Sequence, residues 1–90
     1  MAKLYVPTIM RKNVDGKSSV DVSGATISDA LAALVARYPD VGPQLLSEKG
    51  EILRHVNVFV NGDDIRGLEG GSTGLSDRDE IHVIPAMAGG

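Results

Sequence analysis

The 90-residue sequence predicts a single two-layer α+β domain, in which one amphipathic helix covers one face of a small mixed sheet. Two observations predict this fold class. Two short segments with alternating apolar and polar residues precede a segment with helical periodicity, and three more strand-like segments, one of them brief, follow it. Hydrophobic residues make up 42% of the chain and charged residues 23%, which is typical of a globular protein.

The first two strands are expected to form a hairpin. Residues 3–9 alternate with period two, although Pro7 lacks an N–H group and must loosen or end the ladder near it. Residues 13–16, Asn-Val-Asp-Gly, have the composition of a turn. Residues 17–22 alternate again and predict the second strand.

The helix is expected to begin after Thr26 and to end before Pro39. Thr26 and Asp29 have the spacing of a capping box, and Pro39 disfavours helical geometry at the residue before it. Residues 43–46 predict one further helical turn that places Leu45 or Leu46 on the core. The apolar stripe of the main helix comprises Ile27, Leu31, Leu34, Val35 and Tyr38.

The remaining strands follow the helix. Residues 55–60 form an alternating strand, Asn61-Gly62 is a strong two-residue hairpin turn, and residues 63–66 predict a brief return strand. A glycine-rich loop then leads to a final strand over residues 80–84. The simplest packing is the β-grasp, or ubiquitin-like, arrangement of about five strands and one main helix, because a ferredoxin-like sandwich needs a second full helix.

The composition excludes several classes of function. There is no cysteine, which removes disulfides, zinc–thiolate sites, iron–sulfur ligation and thiol nucleophiles. A small domain without disulfides is typical of a reducing compartment, and no apolar run is long enough for a membrane span, so we expect a cytoplasmic protein without a membrane partner. The net charge of −3 and the low aromatic content of 3% argue against nucleic acid as a partner.

Few side chains of the domain are candidates for catalysis. His55 and His82 lack metal-ligand spacing, and both are better explained as structural or surface residues. The hydroxyl residues within 72–76 lack the context of a nucleophile elbow, and the glycine-rich loop lacks the Lys-Ser/Thr pair of a phosphate-binding loop. Turn formation explains Asp63 and Asp64. The sequence therefore predicts neither a catalytic site nor a metal site.

Unlike the side chains of the domain, the segment after the last strand is a candidate for a chemical role. We expect residues 1–85 to form the domain and Ala86, Met87, Ala88, Gly89 and Gly90 to form a flexible tail. An extended tail of this length reaches about 17 Å, and its two glycines are sterically bare, so it suits a narrow channel in a partner's active site. It would present the α-carboxylate of Gly90, which is ionised at neutral pH and inert until a separate enzyme activates it. The chain is then a carried substrate and not an enzyme.

Three segments resemble the MoaD/ThiS family of ubiquitin-like sulfur carriers, and the likeness covers essentially the whole chain. They are Val6-Pro7-Thr8-Ile9, residues 56–61 together with Asp64-Ile65-Arg66, and residues 84–90. The second segment is similar to one branch of the family, which serves an alternative route of cysteine biosynthesis. Met87 stands where valine is expected, and it is a soft apolar substitute that leaves the role of the tail unchanged.

The resemblance implies a cycle of partners. An E1-like adenylating and sulfurating enzyme of the MoeB type would use ATP and Mg²⁺ to form the Gly90 acyl-adenylate, and a sulfur donor would convert it to a thiocarboxylate. The acceptor would be a PLP-dependent cysteine synthase, followed by a metallopeptidase that releases the cysteine adduct, or a thiosugar-type or molybdopterin-type synthase. The carrier itself would bind no cofactor, since ATP and Mg²⁺ belong to the adenylating enzyme.

Four side chains are candidates for contact with a partner. If the alternating valines of the later strands face the helix, then Tyr5, Phe59, His82 and Ile84 face away from it, beside the tail. Such a cluster suits a docking patch, although scattered exposed apolar residues are also common on monomers.

Three alternatives to a free carrier stay open. The same activated Gly90 serves a ubiquitin-like modifier that is joined to lysines of other proteins. It also serves the small subunit of a molybdopterin synthase, which sits in a stable complex. A plain β-grasp interaction domain could carry an incidental or frayed Gly-Gly end. Gly90 is either the encoded end of the protein or an end exposed by trimming.

Overall fold

The computed structural model describes residues 1–85 and contains one mixed sheet that is covered on one face by helices. Its strands are β1 (Ala2–Tyr5), β2 (Ser19–Val22), β3 (Val56–Val60), β4 (Asp63–Asp64) and β5 (Glu80–Pro85). Its α-helices are α1 (Ile27–Arg37) and α2 (Gly42–Leu45). The strand order β2-β1-β5-β3-β4 is that of a β-grasp fold, as the sequence predicts.

The central pair of strands joins the two ends of the chain. β5 runs parallel to β1, with Leu4 opposite Ile81, and antiparallel to β3, with Val58 opposite Val83. These four side chains are buried on the inner face of the sheet. Three members of the predicted apolar stripe of α1, Ile27, Leu31 and Leu34, also lie in the core, whereas Val35 and Tyr38 are half-buried against it. Ala30, which the predicted stripe did not include, is buried as well.

The limits of α1 agree with the prediction. Oγ1 of Thr26 accepts a hydrogen bond of 3.2 Å from the backbone N–H of Asp29, which satisfies one of the free donors of the first turn. Tyr38 leaves helical geometry (φ −131°, ψ 79°) directly before Pro39. The predicted turn after it forms as α2, which buries Leu45 and leaves Leu46 half-buried.

The prediction for the first hairpin was wrong in its middle part. β1 ends at Tyr5, and the chain from Thr8 to Val14 forms a 3₁₀ helix instead of continuing as a strand and turn. The reason is that Pro7 cannot donate to the ladder, while a helical path turns Met10 and Val14 into the core. The turn itself is confined to Asp15 and Gly16, whose φ angles are 58° and 74°.

The prediction for the second hairpin was correct at its turn and too long at its return strand. Asn61 and Gly62 have φ angles of 51° and 91°, as a two-residue turn between twisted strands requires. Only Asp63 and Asp64 pair with β3, and Ile65–Gly67 then forms a 3₁₀ helix. The carboxylate of Asp64 caps that helix, which turns Ile65 into the core instead of along the sheet.

Candidate functional site

The outer face of the sheet brings three of the candidate docking residues into one row. Tyr5 of β1 lies opposite His82 of β5, and His82 lies opposite Phe59 of β3. The rings of Tyr5 and His82 are stacked, with centroids 4.6 Å apart and planes at 10°. The hydroxyl of Tyr5 also donates a hydrogen bond of 3.4 Å to Oε2 of Glu80 on the same face. The row is therefore held by contacts between strands from both ends of the chain.

Ile84 extends this row toward the end of β5. It lies opposite Asn57 of β3, and its side chain is 52% exposed. The four residues Tyr5, Phe59, His82 and Ile84, called the docking patch below, thus share the face that points away from α1. His82 is exposed, whereas Tyr5 and Phe59 are half-buried.

A shallow groove of about 370 Å³ lies beside the docking patch, between the ends of β1 and β5. The groove is open to solvent, and three members of the docking patch, Tyr5, His82 and Ile84, contribute to its wall. Arg11 reaches it from the 3₁₀ helix, where its Nε donates a hydrogen bond of 3.1 Å to the carbonyl oxygen of Val6. The groove is lined by Tyr5, Val6, Pro7, Arg11, Ser18, His82, Val83 and Ile84.

Arg66 holds the start of β3 on the other side of β5. Its Nη1 donates to Oδ1 of Asn57 at 2.6 Å, and its Nη2 donates to the carbonyl oxygens of Arg54 at 2.5 Å and of Val56 at 3.1 Å. Nη1 also lies 4.0 Å from Oδ2 of Asp64. Val56 pairs with Pro85, so this clamp lies next to the last described residue.

The clamp is a role that residue-by-residue interpretation of the sequence missed. Asn57 and Arg66 are expected in a strand and in its brief return strand, and their separation of nine positions does not by itself predict a contact between the side chains. The pairing becomes visible only when the 3₁₀ turn after β4 folds Arg66 back onto β3. A lone arginine after an Asp-Ile pair was the available sign, and it is too common to indicate a clamp.

The opposite end of β5 is held by a carboxylate. Oδ2 of Asp79 accepts a hydrogen bond of 2.8 Å from the backbone N–H of Ser76, and Oδ1 accepts one of 3.0 Å from Nδ2 of Asn61. These hydrogen bonds, that from Ser76 first, hold the pKa of Asp79 below its ordinary value of 3.8. Oδ1 of Asn61 in turn accepts from the N–H of Glu80 at 3.0 Å, so the β3–β4 turn fixes where β5 begins.

The other side chains considered for chemistry have structural surroundings. His55 is exposed just before β3. Oγ1 of Thr73 accepts a hydrogen bond of 3.1 Å from the backbone N–H of Glu69, which braces the glycine-rich loop. Within residues 1–85, no group of three or more His, Asp or Glu side chains is arranged to hold a metal ion. No helix of that part of the chain is long and apolar enough to cross a membrane.

The predicted reactive segment lies outside the described residues. This applies to residues 86–90, including Gly90 as the site of adenylation and thiocarboxylate formation. The structure locates the point from which that segment continues. Pro85 ends β5, the middle strand of the sheet, between the groove at Arg11 and the clamp at Arg66.

Comparison with known proteins gives one consistent family. The ThiS family matches residues 5–90 of the chain. The sulfur carrier protein CysO of Mycobacterium tuberculosis is 37% identical over 87 residues, which cover 94% of each chain. Small archaeal modifier protein 3 of Haloferax volcanii is 42% identical over 66 residues, or 73% of this chain and 71% of that protein. A chain of the BexX/CysO complex of Amycolatopsis orientalis superposes with a TM-score of 0.90 at 31% identity, covering 100% of both chains.

Proposed function

Because this chain belongs to the ThiS family of sulfur carriers, we propose that it carries sulfur as a thiocarboxylate on Gly90 and delivers it to a biosynthetic acceptor held by a partner enzyme. The resemblance predicted from the sequence is confirmed by the family match. Members of this family are carriers and not catalysts, so the chemistry takes place in the active sites of partners. The observation that carries the proposal is the likeness to CysO over 94% of the chain.

The first step activates a carboxylate that is otherwise inert. In the active site of an E1-like enzyme of the MoeB type, an oxygen of the Gly90 carboxylate attacks the α-phosphorus of Mg²⁺-bound ATP and pyrophosphate leaves. Sulfide then forms the C–S bond while AMP departs, which leaves the thiocarboxylate. ATP and Mg²⁺ are substrates of that enzyme. The bare Gly89-Gly90 end supports this proposal, because only backbone has to enter the active site.

The docking patch is the proposed contact surface for the adenylating enzyme. It lies on the face of β5 away from the core, directly before the segment that must reach the active site. The stacked rings of Tyr5 and His82 form a flat platform that is already ordered, so binding costs little further side-chain entropy. Ile84 adds exposed apolar area beside the platform, and apolar area of this kind is typical of the centre of an interface.

For the acceptor, the likeness to CysO supports a cysteine-forming branch. The thiocarboxylate sulfur would attack the β-carbon of an aminoacrylate on a PLP-dependent cysteine synthase, which gives a thioester. Transfer of the acyl group from sulfur to the amino nitrogen then forms an amide at Gly90. A metallopeptidase would hydrolyse that amide, which releases cysteine and restores the Gly90 carboxylate for another cycle. A thiosugar-type or molybdopterin-type synthase is the alternative acceptor.

A second candidate function is protein modification. It is favoured by the 42% identity to small archaeal modifier protein 3. The chemistry differs only in the nucleophile, since a lysine amine of another protein would attack the activated Gly90 in place of sulfide. An isopeptide bond would then form and the chain would be found in species of higher mass.

The deciding experiment is an intact-mass spectrum of the chain after incubation with ATP, Mg²⁺, sulfide and the adenylating enzyme of the same cell. We expect a mass increase equal to the replacement of one oxygen by sulfur. Deletion of Gly90 is expected to abolish the increase, and Met87→Val, which changes the tail without shortening it, is expected to retain it.

The outcomes separate the candidates. No mass increase, with an enzyme that is shown to adenylate another carrier, would contradict the carrier function. Conjugates of higher mass that require Gly90 and form on cell proteins would favour the modifier. Addition of the purified PLP-dependent synthase and its amino-acid substrate is expected to convert the thiocarboxylate into the cysteine adduct, and failure to do so redirects the search to the alternative acceptors.

A further inference from the structure

The two ends of the sheet carry opposite charge. Ile84 and Pro85, called the tail root below, are flanked by arginines on both sides. Arg11 lines the groove beside Ile84, and Arg66 clamps the strand start that pairs with Pro85, with Arg54 next to it. The other end of the sheet is dominated by acids, although Lys3 and Arg78 also lie there. These acids are Asp21, Asp63, Asp77, Asp79 and Glu80.

The arginines at the tail root keep donors free. The one hydrogen bond described for the side chain of Arg11 uses Nε, and none is described for the side chain of Arg54. Within residues 1–85, neither side chain forms an ion pair within 4.0 Å. Arg66 is the exception, because its two terminal nitrogens already donate three hydrogen bonds at the start of β3 and Asp64 lies 4.0 Å from Nη1, so it contributes charge more than free donors. Arg54 is exposed and Arg11 is half-buried, so cations with donors outside the described hydrogen bonds lie on both sides of the strand that leads into the tail.

We propose that this arginine rim, consisting of Arg11, Arg54 and Arg66, docks on an acidic border around the mouth of the channel that receives the tail in the adenylating enzyme. The inference rests on the proposed function, and it further specifies that the partner surface around the channel is negatively charged. It also sets the orientation of approach, since the acidic end of the sheet is repelled by such a border and turns away from it.

Charge complementarity supports this choice of partner surface. The whole chain carries a net charge of −3, so a distant acidic surface repels it and only the local cations of the rim can produce attraction at short range. Guanidinium groups pair with carboxylates through two parallel hydrogen bonds, which fixes orientation better than an ammonium does. An arginine also stays protonated at all physiological pH values, so it does not compete as a nucleophile for an activated acyl group nearby.

The test compares two charge reversals at the two ends of the sheet. Arg54→Glu removes a rim cation whose side chain makes no described hydrogen bond, and Arg78→Glu makes the same change of charge at the acidic end. Both residues are exposed, so neither change is expected to alter the folded state, and thermal unfolding checks this. The readout is kcat/KM for carrier-dependent pyrophosphate exchange by the adenylating enzyme at a series of salt concentrations.

We expect Arg54→Glu to lower kcat/KM about tenfold at low salt and the loss to shrink as salt screens the interaction. For Arg78→Glu, we expect kcat/KM to stay close to the value of the unchanged chain. Equal losses in both variants would show a response to net charge alone and would overturn the proposal, as would no loss in either. If the unchanged chain is not adenylated at all, the proposed function itself fails, which is a distinguishable result.

Discussion

The ring of Tyr5 stacks on the ring of His82 at a centroid distance of 4.6 Å, although the two residues come from opposite ends of the chain. Their strands, β1 and β5, form the one parallel pair of the described sheet. A parallel pair requires a long connection, and here that connection includes both α-helices and the other three strands. The two rings can stack only when the elements between them have folded and β1 has paired with β5. The stacked rings also form part of the surface beside the tail root.

The docking patch predicts an effect on activation that is separate from stability. Ile84→Glu places a charge on the outer face at a side chain that is already 52% exposed, so the fold is expected to be retained. We expect kcat/KM for adenylation to fall about tenfold, because a charge would be desolvated in the interface. Leu68→Glu is the matched control, since Leu68 is 47% exposed and lies outside the sheet.

Phe59→Glu is expected to act in the same direction as Ile84→Glu. If Ile84→Glu and Phe59→Glu both react at the rate of Leu68→Glu, the outer face is not the contact surface. Circular dichroism and the thermal midpoint separate a loss of contact from a loss of fold.

The arginine clamp predicts a graded loss of stability. Arg66→Ala removes three side-chain hydrogen bonds, two to β3 and one to Arg54 just before it, and we expect the free energy of unfolding to fall by about 1–2 kcal/mol, since the site is partly exposed. Arg66→Lys keeps the charge but cannot reproduce the planar fork, so it is expected to recover only part of the loss. Urea denaturation measures both, and full recovery by lysine would contradict the clamp geometry.

The hydrogen-bonded carboxylate at the start of β5 predicts a pH dependence. The pKa of Asp79 is lowered in the folded state, so its contribution to stability is present above the unfolded value of 3.8 and is lost as pH falls through the folded value. Asp79→Asn is therefore expected to be less stable than the unchanged chain at pH 7, with the difference narrowing in acid.

Asp63→Asn serves as the control for this titration, because Asp63 is exposed at the β3–β4 turn and no hydrogen bond to its side chain is described. Urea denaturation at a series of pH values down to about 2 measures the difference in unfolding free energy. If the difference in unfolding free energy between Asp79→Asn and the unchanged chain does not vary with pH, Asp79 is not the carboxylate whose lowered pKa stabilises the fold.

The helix cap predicts a local effect on stability. Thr26→Ala removes the acceptor for the backbone N–H of Asp29, and we expect a loss of about 1 kcal/mol in unfolding free energy. Ser23→Ala removes an exposed hydroxyl just before the helix and is expected to have no measurable effect. The midpoints of thermal unfolding of the two variants are compared. Equal midpoints would show that the hydrogen bond of the cap does not contribute to the stability of the fold.

The sequence predicted the parts of the fold that depend on neighbouring residues. Thr26, the apolar stripe and Pro39 lie within one helix, so their spacing alone predicts where it begins and ends. The turn at Asn61-Gly62 is equally local, because those two residues adopt positive φ with little strain. The alternation of Ile81 and Val83 was enough to assign the faces of β5 correctly.

Other features depend on contacts between distant parts of the chain, and the sequence did not predict them. The 3₁₀ helix from Thr8 to Val14 places Met10 and Val14 in the core, and alternation within a strand does not reveal this burial. The Arg66 clamp depends on a turn that folds the chain back onto β3. The docking patch was assigned from the sequence as four outward side chains, but the stacking of Tyr5 on His82 required the register of β1 against β5.

The central position of β5 has a mechanical consequence. A force applied through the chain beyond Pro85 acts along the middle strand of the sheet, so it loads the ladders to β1 and β3 together. Those hydrogen bonds lie across the direction of pull and must shear as a group, whereas an edge strand such as β2 could be peeled off one bond at a time. A partner that draws on the C-terminal end therefore displaces the domain as a rigid body before it extracts a strand from it.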